Sequence, residues 1–328
     1  MNFLITGGKG HVGSYIVEEL CKQYKNSTVV VVDNDYNSDP RNLDDAKIIA
    51  SENGVKIVDL FADVADFSSL EIEFRDYNFD YVFHEASLLT LDSKKFRQRA
   101  VEVNTLGFTN ICELCLKYKV KKLIYASSAS VYGNPDTFPT SEDHHFNNNR
   151  LLYGATKIAD EYIATSYMKE EGLSILGMRY FNIYGERQSR SNVYTQIVPK
   201  WIECFLDSKT ITIYGNGKQT MDLVHGADLG RLNIEAMNCK YTGFLNIGSG
   251  IETSVLELYK IMKNVFIELG FKEFTKNEVI FDEHDPNLVS RRLCDVSLMH
   301  EHLGKHSISV NEGITRAIKH ALKSRGIA

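Results

Sequence analysis

Thr6-Gly7-Gly8-Lys9-Gly10-His11-Val12-Gly13 stands directly after the apolar run Asn2 to Thr6 and opens a helical pattern reaching about Tyr24. A strand that runs into closely spaced glycines and then a helix lets bare backbone approach a pyrophosphate at the helix's positive end. The next strand pattern, Thr28 to Val32, ends in Asp33, twenty residues after Gly13. A carboxylate there accepts hydrogen bonds from an adenosine ribose and repels a 2'-phosphate, so NAD is favoured over NADP. Lys9 is a counter-signal for a phosphate, but it reads as a solvated loop lysine.

Outward from this stretch, strand-like and helical runs alternate. Lys56 to Phe61, Tyr81 to His84 and Lys122 to Ser127 read as strands, and a long helix is expected near Arg99 to Tyr118. This alternation predicts an α/β fold with a doubly wound parallel Rossmann sheet. Near-continuous apolar strands such as Val29-Val30-Val31-Val32 suit a sheet covered on both faces by right-handed crossovers. The second half is less regular, with turns at Tyr214-Gly215-Asn216-Gly217 and Asn246-Ile247-Gly248-Ser249-Gly250. Helical periodicity returns from about Val255 to Leu269 and from Val310 to Lys323. A second, smaller α/β lobe over the sheet's carboxyl edge is expected. The division reads as 1–178 with 217–242 in the sheet domain and 179–216 with 243–328 in a substrate-binding lobe, the two interwoven.

The bulk composition excludes several classes. At 328 residues, 43% hydrophobic and 24% charged, the chain reads as a soluble globular protein with core enough for two lobes. A net charge of -6 and a pI near 6.0, with no basic run interleaved with aromatics, exclude nucleic acid as the main ligand. No apolar run approaches the roughly 18 residues that span a bilayer, so no membrane association is expected. Met1 runs directly into Phe3-Leu4-Ile5 without a leader pattern, and a cytoplasmic location is expected. Of six cysteines only Cys112 and Cys115 are close. No second pair completes a metal or redox set, so they read as reduced packing residues. His300 and His302 likewise lack a completing cluster, and no metal is expected.

Catalytic chemistry is suggested by Leu152-Tyr153-Gly154-Ala155-Thr156-Lys157. Tyr153 and Lys157, four residues apart, share a helix face. A phenol titrating near ~10 becomes a base at neutral pH only if its anion gains roughly three units of support, about 4 kcal/mol. A neighbouring ammonium supplies part of it. Tyr125-Ala126-Ser127-Ser128-Ala129-Ser130-Val131-Tyr132-Gly133 leaves a strand at its carboxyl end, where α/β sheets place ligands, and Ser128 lies 25 residues before Tyr153. A hydroxyl there can hydrogen-bond a reacting oxygen.

Together these segments resemble the extended short-chain dehydrogenase/reductase family, and in particular its nucleotide-sugar epimerases of the UDP-glucose 4-epimerase type. The resemblance runs nearly end to end, through Arg179 to Gly185, Ile213 to Thr220, Asn246 to Gly250 and Thr253-Ser254-Val255. It implies that Tyr153 is the catalytic base, that Lys157 is its partner and a ligand of the nicotinamide ribose, and that Ser128, with Ser130 nearby, meets the substrate. It implies NAD contacts from Gly7, Gly10, His11, Val12, Gly13, Asp33 and Asn34. Asp63 and Val64 match an adenine-contacting pair, and His84 to Ser87, including Ala86, match the strand end beside the nicotinamide ribose. Asn104 matches a supporting asparagine, and Asn182 a residue touching the substrate diphosphate. Either Arg291 or Arg292 falls near a diphosphate-clamping arginine, a role that suits the paired donors of guanidinium. A homodimer through helices near Arg99 to Tyr118 and Tyr153 to Tyr167 is implied in the same way.

Three departures narrow the expectation. Ala129 and Ser130 stand where related dehydratases carry an acid pair and related decarboxylases a glutamate, which disfavours both reactions. Met221 stands where an arginine normally reaches the diphosphate, leaving Arg187, Arg291 and Arg292 as candidates to replace it. His11, where an aromatic is commoner, reads as a tolerated variation. The expected activity is an NAD-dependent nucleotide-sugar 4-epimerase working through transient oxidation at C4. The alternatives are a 4-dehydrogenase or 4-ketoreductase with net hydride transfer and a non-catalytic NAD-sensing module.

Overall fold

The computed structural model describes residues 1–188, 196–283 and 289–327. The first half reads β1 (Asn2–Thr6), α1 (His11–Gln23), β2 (Thr28–Asp33), α2 (Asp44–Asn53), β3 (Lys56–Phe61), α3 (Phe67–Tyr77) and β4 (Tyr81–His84). It continues with α4 (Thr90–Lys95), α5 (Arg97–Val101), α6 (Gly107–Lys117), β5 (Lys122–Ser128), α7 (Leu152–Glu170) and β6 (Ile175–Tyr180). Next come β7 (Asn182–Tyr184), α8 (Ile197–Leu206), β8 (Ile211–Tyr214), β9 (Thr220–His225), α9 (Gly226–Asn238) and β10 (Gly243–Ile247). The chain closes with β11 (Glu252–Ser254), α10 (Val255–Glu268), β12 (Val279–Asp282), α11 (Ser297–His302) and α12 (Val310–Ser324).

Seven strands form one sheet in the order β10-β6-β5-β4-β1-β2-β3, with every recorded pairing parallel. The central strands are largely apolar because successive side chains enter different cores. Val29 and Val31 pack with Ile16, Leu20 and Leu232 from α1 and α9. Val30 and Val32 pack with Phe74, Phe108 and Ile111 from α3 and α6. All four valines have zero exposure, each contributing about 1.5 to 3 kcal/mol relative to an exposed position. The chain winds outward in both directions from β1 and β4, so their carboxyl ends leave a crevice at the switch of direction.

The smaller lobe is built on the three-stranded sheet β11-β9-β7 and the pair β12-β8. Trp201, Phe205, Leu258, Phe266 and Ile318 from α8, α10 and α12 form its own core. Three details depart from the sequence expectation. The division placed 217–242 with the main sheet, yet β9 (Thr220–His225) pairs with β7 and β11 in the smaller lobe's sheet. The division assigned 243–328 to this lobe, yet Gly243–Ile247 is the edge strand of the main sheet, paired in parallel with β6. Leu245 and Ile247 are fully buried there, so apolar burial beside β6 outweighs chain proximity to β11. The helix expected over Arg99 to Tyr118 is interrupted by a π-helical turn at Glu102–Leu106. Such turns re-aim side chains at functional positions, and this one turns Asn104 into the interior at zero exposure.

Candidate active site

The glycine turn is sterically determined. Gly7 has φ +66°, and its carbonyl accepts the Gly10 amide at 3.0 Å. A methyl on Gly13 would fall on the Gly7 carbonyl, and one on Gly7 would lie 2.8 Å from the Ala86 nitrogen. The turn is therefore a cradle that side chains would fill, set against the end of β4 and opening into α1. Asp33 ends β2 beside it, its Oδ2 accepting the Lys9 amide at 3.0 Å and its Oδ1 accepting Asp35 N–H at 3.0 Å.

Lys9 is not the solvated loop lysine expected. It is 4% exposed, with its ammonium 2.5 Å from Asp35 and 3.0 Å from Asp59. Burial pulls its pKa down, but these two carboxylates outweigh the penalty and leave it raised. So engaged, it does not offset the repulsion between Asp33 and a 2'-phosphate.

Asn34 donates to Asp63 at 3.0 Å, and Arg99 pairs with the same carboxylate. Val64 is buried against Gly107, its carbonyl held by Asn110 at 3.0 Å. His84 ends β4 with Nδ1 2.7 Å from the Thr6 hydroxyl, while its Nε2 is buried without a partner. Burial, then the charge of Lys157, lowers its pKa to about 3, so the ring is neutral. Asn104 accepts from Ser87 at 3.2 Å and from the Leu88 amide at 2.8 Å, and donates to Thr156 at 3.0 Å. Thr156 in turn donates to the Tyr153 carbonyl at 2.8 Å, so Asn104 joins the β4 end to the first turn of α7.

That first turn carries Tyr153. A methyl on Gly154 would lie 2.6 Å from the Ser130 carbonyl, which brings the backbone of this first turn against the turn leaving β5. Ser128 Oγ accepts the Ser130 amide at 3.1 Å, leaving its own proton for another oxygen. One turn below, Lys157 is 2% exposed. Ser128, Tyr153, Lys157, His84 and Asn104 are thus gathered at the carboxyl edge of the sheet, beside the glycine cradle.

The arginines separate. Arg292 is half-buried, donates to the Ala129 carbonyl at 2.7 Å and lines a cavity with Ser130, Asn134 and Asn149. Arg291 instead forks onto Glu252 at 2.7 and 3.0 Å and stacks on Phe138. Arg187 pairs with Glu18 and Asp45 and stacks on Tyr15 at 4.2 Å, so α1 and α2 claim it. Opposite charge there decides its direction. Met221 packs against the small-lobe core. Asn182 begins β7 with its Oδ1 buried and unpartnered. His11 packs edge-on to Tyr15 at 5.8 Å, its pKa lowered to about 3 by burial first and His225 next.

Residues 3–248 match the model of the NAD dependent epimerase/dehydratase family. The chain belongs to that family. It is 33% identical to a putative UDP-glucose 4-epimerase of Methanocaldococcus jannaschii, over 96% of each chain. A UDP-N-acetyl-alpha-D-glucosaminuronate decarboxylase of Bacillus cytotoxicus is 34% identical, over 78% of this chain and 77% of the other. The UDP-glucose 4-epimerase of Thermotoga maritima, solved with UDP-glucose, superposes with a TM-score of 0.88 at 28% identity, covering 99% of this chain and 100% of that one. As a member of this family the chain is an enzyme, and its cofactor is NAD. The glycine cradle and the orphaned His84 Nε2 fit that cofactor.

In this epimerase/dehydratase chain, three groups of functional interest were given no individual role by the sequence. Glu85, directly after β4, accepts from Tyr180 at 3.0 Å, and burial pushes its pKa up to about 8. A charge closing an apolar strand was its only signal. Arg179 forks onto Glu161 at 2.8 and 2.7 Å and donates to Tyr132 at 2.7 Å, and Tyr132 donates to Asn246 at 2.7 Å. This buried network ties α7, β6, β10 and the turn after β5 into one floor. Among the described residues, Asp136, His144 and His145 bring possible ligand atoms within 4.8 Å of one another. Both rings are already bonded to Asp136, at 2.9 and 3.0 Å, which staples their loop. Among the described residues no helix is long and apolar enough to cross a membrane.

Proposed function

We propose that this enzyme is a nucleotide-sugar 4-epimerase. The observation that carries the reading is the seating of Tyr153 and Lys157 on the first turns of α7, against the Ser128–Ser130 turn and beside His84. Gly7, Gly10, His11, Val12, Gly13, Asp33, Asn34, Asp63, Val64, His84, Ala86, Ser87 and Lys157 would hold NAD, which when bound accepts a hydride from C4 and returns it. Tyr153 takes the C4 hydroxyl proton, supported by the Lys157 ammonium. Ser128 donates its free proton to the same oxygen, stabilising the carbonyl it becomes. Arg292 and Asn182 hold the diphosphate, with Ser130 beside them. That remote grip retains the 4-keto sugar while it turns its other face, and Tyr153 then restores the proton. Ala129 and Ser130 supply no carboxyl group for dehydration or decarboxylation, which favours epimerisation over those reactions of relatives.

The names of the relatives make UDP-sugars the first substrates to test. Incubation with UDP-glucose is expected to give inversion at C4, followed by NMR, without net absorbance from reduced cofactor. Stoichiometric reduced cofactor would favour the 4-dehydrogenase or 4-ketoreductase reading instead.

A homodimer is supported by exposed apolar side chains along α4 to α7, namely Leu91, Phe96, Val101, Leu106 and Tyr162 at 69% exposure. Sedimentation at micromolar concentration is expected to give the mass of two chains, and a monomer would overturn it. Six unpaired thiols support a reducing, cytoplasmic setting, which cell fractionation checks.

A further inference from the structure

Lys157 has a carboxylate neighbour that the proposed mechanism does not use. Asp160 lies one turn further along α7, with its Oδ2 3.5 Å from the Lys157 ammonium. The side chains are 1% and 2% exposed, and Lys157 and Thr105 stand near Asp160 without a well-formed hydrogen bond to either of its oxygens. An acid so placed is expensive to keep, since a buried carboxylate with poorly formed hydrogen bonds costs several kcal/mol and an apolar residue would pack there at less cost. Residues 153, 157 and 160 also fall on one face of the helix, separated by four and then three positions. Positions 153 and 160 are about 10 Å apart along the helix axis, at roughly 1.5 Å per residue, with position 157 between them.

Resting on the reading of Tyr153 as the base, we infer that Asp160 is a positioning residue: it anchors the Lys157 ammonium and sets how much of that charge reaches the Tyr153 phenol. An ionised Asp160 draws the ammonium down the helix and cancels part of its field. A protonated Asp160 releases both effects. Burial pushes its carboxyl up to about 7, the Lys157 ammonium and Thr105 offsetting part of the shift, so both forms exist near neutrality. The groups facing it do not compete in that range. Cys112 from α6 and Tyr125 from β5 are pushed well above their ordinary values by burial, and Glu161 on the same helix is committed to Arg179. Near Lys157, His84 is neutral, and Glu85, at about 8, is common to the wild type and any Asp160 variant.

Two measurements test the inference. In the wild type, ionisation of Asp160 and of Tyr153 oppose each other, so the acid limb of kcat against pH should be broader than a single titration. Asp160→Asn should sharpen that limb and move it down by about half a unit to one unit, because the ammonium then acts on the phenol undiminished. Independently, when NAD draws Lys157 toward its ribose, Asp160 loses its counter-charge and takes up a proton. Calorimetry near pH 7 in two buffers of different ionisation enthalpy should therefore show proton uptake on NAD binding that Asp160→Asn abolishes. Superimposable limbs together with unchanged proton exchange would overturn the inference. If Asp160→Asn does not fold, wild-type proton uptake that is zero from pH 6 to 9 would do the same. Calorimetry needs no turnover, so a failure of the Tyr153 assignment would be seen separately.

Discussion

Tyr153→Phe is expected to lower kcat by about a thousandfold while leaving NAD and nucleotide-sugar affinities within a few fold. General acid–base catalysis is typically worth about a hundred to ten thousandfold, and in the proposed mechanism one group both removes and restores the C4 hydroxyl proton. The substitution deletes only the phenolic oxygen and keeps the ring in the first turn of α7, which Thr156 and Asn104 hold by their own hydrogen bonds. Steady-state kinetics paired with equilibrium binding checks it. A kcat within tenfold of wild type would remove Tyr153 from the chemistry, and an equal loss of binding would make its role structural.

Arg179→Met carries the largest expected effect on stability, a loss of about 3 to 5 kcal/mol. Arg179 and Glu161 are each 3% exposed, so the substitution strands a carboxylate in the interior with Ser127, at 2.6 Å, as its remaining donor. Tyr132 and the Glu142 carbonyl lose a donor in the same step. In a chain of this size that loss lowers Tm by roughly 10 °C, which calorimetry would read. The double variant Arg179→Met, Glu161→Leu should recover part of it, because the desolvated charge is gone. A single variant as stable as wild type would mean that water reaches the network.

Much of the site was legible because its residues act through local geometry. The glycine turn needs only a strand before it and a helix after it, and the Tyr153 and Lys157 spacing needs only a helix. Asn104 was marked by resemblance, but its turn inward required the π-helical step at Glu102–Leu106, which periodicity does not reveal. The arginines were the least legible. Arg187, Arg291 and Arg292 are chemically alike, and their directions follow from carboxylates distant in sequence: Glu18 and Asp45 claim the first, and Glu252 the second. Arg292 alone of the three lines the cavity beside Ser130. Lys9 was misread for the same reason, since Asp59, fifty residues on, helps to bury it.

By itself the sequence determined the doubly wound sheet, the preference for NAD and the pairing of a phenol with an ammonium. Each follows from periodicity or from contacts within a few residues. Only the tertiary structure decided which arginine faces the cavity, that Gly243–Ile247 closes the sheet, and that a buried Asp160 and a half-buried Glu85 stand near Lys157. Those outcomes depend on which distant groups share one low-dielectric interior, where charge and burial act through space rather than along the chain.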